Sequence, residues 1–111
     1  MNTNELVERL EHEWDVDGFL WNVRQGCFSL DDGQKFLSFL KQIEIDDDAQ
    51  IPKRLLSLLW YLPPFLEWQK ERVGERSRNR TAYECFVTDV YNALETCLVF
   101  HRVTDAVLLA S

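Results

Sequence analysis

Glycine is scarce in this chain: there are four, all isolated, so no glycine-rich loop is available to cradle a phosphate. Histidine is scarcer still. His12 and His101 stand at opposite ends of the sequence, and no Cys-x-x-Cys or His-x-x-x-His spacing occurs, which excludes a zinc site of the usual kind and leaves nucleophilic catalysis without a neighbouring base. Hairpin signals are missing too. No Asn-Gly or Asp-Gly separates two alternating apolar runs, and Asp32-Gly33 falls inside a helical pattern. The longest uncharged run, Leu55 to Leu66, is twelve residues with two prolines in it, too short to cross a bilayer, and no basic-then-apolar leader opens the chain. A cytoplasmic address and no membrane are expected.

Cysteine is present in an odd number, at positions 27, 85 and 97. Cys85 and Cys97 fall on one predicted helix at a separation of about 18 Å, beyond the reach of a disulfide. Three reduced thiols, buried as small apolar side chains, are expected.

What the chain does have is acid, unevenly placed. Residues 1–50 carry 12 Asp or Glu against 4 Lys or Arg, whereas residues 51–111 carry 7 against 8. A field of that sign repels nucleic acid and acidic lipid and favours a basic protein as partner, although solubility alone also accounts for it. The 111 residues form one domain, 1–111, with four Trp and seven Phe to close its core.

The pattern is helical throughout. Asn2 or Thr3 caps a helix whose apolar residues are Leu6, Val7, Leu10 and Trp14. Phe19, Leu20 and Val23 give a short second helix that Gly26 ends in a left-handed cap. Ser29 and Asp32 resemble a capping box for a third, Leu30 to Gln42. The segment from Ile51 to Val73 holds the most apolar mass. Its leucines and Trp60 point to every side of a wheel, so Pro52 to Leu62 is expected to be the most buried helix, Trp60 included, with Pro63 and Pro64 restarting the helix as far as Val73. Gly74 to Arg80 reads as a loop. Thr81-x-x-Glu84 then caps a long helix reaching His101, which is expected to pack along Pro52 to Leu62, before a last apolar segment, Val103 to Ala110. The fold class is all-α: a single-domain bundle of about five to seven helices around a central Pro-kinked apolar pair.

Three clusters of carboxylates fall in predicted loops or helix starts: Asp15 with Asp17, Asp31 with Asp32, and Glu44, Asp46, Asp47 and Asp48. None has the alternation of a calcium loop. Asp31 and Asp32 suit a helix start, but the run from Glu44 to Asp48 serves no cap, and all eight are candidates for a partner-binding surface. Lys70, Arg72, Arg76, Arg78 and Arg80 are interleaved with Glu67, Glu71 and Glu75, which argues against nucleic acid.

The run Leu59-Trp60-Tyr61-Leu62-Pro63-Pro64-Phe65-Leu66-Glu67-Trp68-Gln69-Lys70-Glu71-Arg72-Val73, with the upstream Phe19-Leu20-Trp21-Asn22-Val23-Arg24-Gln25-Gly26, resembles small helical bacterial immunity proteins of contact-dependent growth inhibition systems. The resemblance covers about residues 5 to 100, and its motifs are packing motifs. It implies a cytosolic antidote, monomeric before it meets its partner, that binds the C-terminal domain of a cognate toxin, commonly a nuclease and by preference a ribonuclease. It implies no catalytic residue, no cofactor and no metal. An acidic, non-catalytic adaptor of a bacterial complex fits the same composition.

Overall fold

Local signals start and stop most of the helices. In the computed structural model, which describes residues 2–43, 51–77 and 80–100, the Asn2 side chain accepts from the Glu5 N–H at 2.9 Å and opens α1, Thr3–Trp14. After α2, Phe19–Arg24, the N–H of Gly26 reaches the Val23 carbonyl and that of Cys27 reaches Asn22, both at 2.9 Å. Those two bonds make a Schellman cap, and Gly26 sits in it at φ 87°, where a side chain would be strained. Ser29 caps α3, Leu30–Lys41, by accepting from Asp32 N–H.

The apolar centre of the sequence divides into α4, Lys53–Trp60, and α5, Leu62–Trp68, hinged at Tyr61. The restart comes at Leu62 rather than at Pro64. Pro63 and Pro64 then occupy the first turn of α5, where a missing N–H has no intrahelical partner to lose. Helix α6, Lys70–Ser77, runs through the stretch expected to be a loop from Gly74 onward, because Val73 is fully buried and Arg72 donates to the Arg24 carbonyl at 2.7 Å, tying the helix to the end of α2. Helix α7, Arg80–Leu94, begins one residue ahead of Thr81. Glu84 there pairs with Arg80 at 3.2 Å instead of reaching back as a capping box would. A π-helical segment, Glu95–Phe100, continues α7, and His101 and Val103 to Ala110 lie outside the described residues.

Among the described residues there are seven α-helices, that π-helical segment and no strand, which makes the fold an all-α bundle. One core cluster draws on α1 to α7. Its centre is aromatic: the Phe36 ring lies 5.1 Å from Phe19 and 6.5 Å from Phe86, and Phe28 lies 5.1 Å from Tyr83. Tyr83 is fully buried and donates its hydroxyl to the Leu66 carbonyl at 2.7 Å, which joins α7 to α5. Burial pushes its ionisation well above the ordinary tyrosine range.

Two expectations are corrected here. Helix α4 is not covered on all sides: Leu55, Leu58, Leu59 and the following Leu62 face inward, while Leu56 and Trp60 face out, Trp60 at 69 % exposure. Among the described residues the helix packs chiefly on α1 and α5, which leaves Leu56 and Trp60 on its outer side exposed. Helix α7 packs chiefly on α3, α6 and α5 rather than along α4, which makes α7, with Tyr83, Phe86, Val87, Val90 and Leu94 buried, the axis of the bundle.

The cysteines are free, but only Cys97 is even half-buried; Cys27 and Cys85 are exposed, which corrects their expected burial. Burial also raises the Cys97 thiol pKa, and the thiolate is the reacting form. Maleimide added to the folded protein should therefore label Cys27 and Cys85 quickly and Cys97 slowly, with three labels after unfolding without reductant. Fewer than three labels on the unfolded chain would reveal a disulfide and contradict the assignment.

Candidate partner-binding surface

The acidic candidates occupy helix ends, where backbone geometry rather than a site explains part of their placement. Asp15 closes α1 in extended conformation and accepts from the Val16 N–H at 2.8 Å, and Asp17 adopts a left-handed φ of 68° in the same turn. Both are exposed. Asp31 and Asp32 lie exposed in the first turn of α3, where the partial positive charge of the helix N-terminus favours them. Each pair shares one turn; no ion pair joins any of the four to another side chain among the described residues. Glu44, Asp46, Asp47 and Asp48 lie outside the described residues.

Much of the remaining charge is engaged within the fold. Arg54 pairs with Glu11 at 2.9 Å and Lys70 with Glu67 at 2.9 Å, the latter hydrogen bond holding the Lys70 ammonium above its ordinary pKa. Arg9 meets the buried Glu13 at 3.3 Å and lies over the Phe39 ring at 4.8 Å. Of the arginine-rich stretch, Arg72 and Arg76 lie against Gly26 and would be the first atoms met by a side chain there.

Sequence reading keeps Trp21, Tyr61 and the Arg76 to Arg80 loop as an alternative interface bordered by the acids, but it misses Trp60 and Trp68 as exposed rings near Tyr61 in the chain. Trp60, Tyr61 and Trp68 are 69 %, 45 % and 66 % exposed, and Leu56 stands one turn before Trp60 on the outer face of α4. The Tyr61 and Trp68 rings meet edge to face with centroids 6.0 Å apart. Behind them Trp14 lies 5.5 Å from Tyr61 and 4.7 Å from Phe65, its indole N–H buried without an acceptor. The available signal was the spacing: Leu56 and Trp60 are four apart on the side opposite the Leu55, Leu58, Leu59 set, and Tyr61, Pro64 and Trp68 follow one another at helical intervals.

On another side, an open groove of about 370 Å³ lies between the end of α3 and α7, lined by Leu40, Ile43, Asp89, Asn92 and Cys97 among others. Among the described residues no three His, Cys, Asp or Glu side chains converge as metal ligands, and no helix is long and apolar enough to cross a membrane. No protein-family model, curated protein or solved structure matches the chain.

Proposed function

We propose that this chain is an immunity protein, a non-catalytic antidote that binds the C-terminal toxin domain of a contact-dependent growth inhibition system in the cytoplasm and keeps it from its substrate. The observation that carries the reading is the acidic first half, 12 carboxylates against 4 cations, in which Asp15, Asp17, Asp31 and Asp32 stand exposed with no ion partner among the described residues. The resemblance of residues 19–26 and 59–73 to immunity proteins supports it. A nuclease must offer a cationic groove to its nucleic acid, so an acidic inhibitor is drawn toward that groove and competes with the phosphate backbone; a ribonuclease is the preferred toxin class.

Co-expression tests the reading directly. Cells producing the toxin domain encoded beside this gene should survive only when this chain is also made. Failure to protect, with both proteins folded, would sink the immunity reading. Reversal of Asp46, Asp47 and Asp48 to Lys should lower the association rate with that domain about tenfold at low ionic strength, flatten its salt dependence and leave the melting temperature unchanged. An unaltered rate would remove this acidic run from the steering surface.

A further inference from the structure

The exposed aromatic residues of α4 and α5, on a chain of formal charge -7, favour one kind of partner group. Tyr61 is held from behind by Trp14 and from the side by Trp68, with ring centroids at 5.5 and 6.0 Å, so it presents a fixed face rather than a swinging side chain. Trp60 and Leu56 are exposed on the preceding turns of α4. Two cations of the adjoining helices are engaged, Arg54 by Glu11 and Lys70 by Glu67, while Lys53 lies about 10 Å along the helix axis from Trp60. The carboxylates Asp15 and Asp17, just after Trp14, and Glu71, just after Trp68, have no ion partner among the described residues.

Exposed indole and phenol faces on a chain of formal charge -7 suit a flat cation. A guanidinium stacks on an aromatic ring while keeping its edge free for carboxylates, whereas an ammonium is more strongly hydrated and loses more on docking. The fold already contains one such contact, Arg9 over Phe39 at 4.8 Å. A second copy of this chain would bring its own excess of acid to the face, a formal charge of -7 against -7, and nucleic acid would bring phosphate. We propose that Trp60, Tyr61 and Trp68 form the seat for an arginine-bearing face of a basic protein partner. This rests on the reading of that partner as basic and adds the surface and the side chain that anchor it.

The test compares nona-arginine with nona-lysine, titrated calorimetrically into the wild-type chain and into the double variant Trp60→Ala, Trp68→Ala, whose melting temperature should match wild type because both side chains are largely exposed. Wild type should bind the arginine peptide about tenfold more tightly than the lysine peptide, and the double variant should bind the two alike. Equal affinities on wild type, or an arginine preference that survives in the double variant, would overturn the proposal. So would tight binding of oligothymidylate that the double variant loses, since it would assign the rings to base stacking. The toxin domain separates this proposal from the immunity reading. A double variant that neutralises the toxin and binds it as tightly as wild type defeats the aromatic seat and leaves the immunity reading standing. An arginine preference in a wild-type chain that protects no cell supports the seat and removes the immunity reading.

Discussion

Replacing Phe36 by alanine is expected to lower the unfolding free energy by about 3–5 kcal/mol, a large share of what a domain of this size has. Its ring is 1 % exposed and is met by Phe19 at 5.1 Å, Phe39 at 6.3 Å and Phe86 at 6.5 Å, so the vacated space is walled by rings that cannot all collapse into it. Trp60→Ala, which removes a larger side chain, should change stability by no more than about 0.5 kcal/mol, because most of that side chain is in water. Urea unfolding of the two variants decides the matter. A Trp60→Ala loss as large as that of Phe36→Ala would mean that α4 is covered on its outer side after all.

The second large effect is expected at Gly18. Its backbone, φ -75° and ψ 169°, suits any residue, so the objection to a side chain there is purely one of space. A methyl group would lie 2.5 Å from the Glu13 carbonyl oxygen, 2.7 Å from its carbon, and against the His12 carbonyl oxygen. These are backbone atoms of the last turn of α1. They have no rotamer to change, and the turn between α1 and α2 must open instead. Gly18→Ala should therefore lose about 2–3 kcal/mol, with a lowered urea midpoint and a change in Trp14 fluorescence as the end of α1 shifts. A variant as stable as wild type would show that this turn has room the structure does not display.

How far the sequence reaches depends on whether a feature is decided within a few residues. Asn2, Ser29 and Gly26 act on their own neighbours, and the starts of α1 and α3 and the end of α2 are legible from them. The inward leucines of α4 are legible as well, but the outward fate of Trp60 is not. Apolar character on a wheel shows what can be buried, whereas burial needs a neighbouring helix, and more than half of a folded protein's surface is apolar in any case. The same limit explains α6: Gly74 and the charges after it read as a break, yet Val73 in the core and Arg72 on the Arg24 carbonyl hold the helix together from a distance. Of the proposed surface, the exposure of Asp15, Asp17, Asp31 and Asp32 is legible from their charge together with the helix ends they occupy, since charge alone leaves Glu13 buried. The aromatic face could not be read that way, because Trp60, Tyr61 and Trp68 have the composition of a core and lie outside it only because of how the helices are arranged.

That α7 is the axis of the bundle also sets an order in time. Its main neighbour, α3, ends at Lys41, and at about 5–20 residues per second the ribosome needs roughly 2–8 s to travel from there to Arg80. Throughout that interval Phe36, Phe39 and Leu40 have been synthesised without the helix that will cover them. Helices α1 and α2 can begin to associate with α3 early, but the aromatic centre cannot close until α7 has left the exit tunnel. A growing chain therefore carries that aromatic face without its cover over about a third of its length, the stretch between Lys41 and Arg80, and the 12 carboxylates of residues 1–50 are all in the chain before the cover arrives.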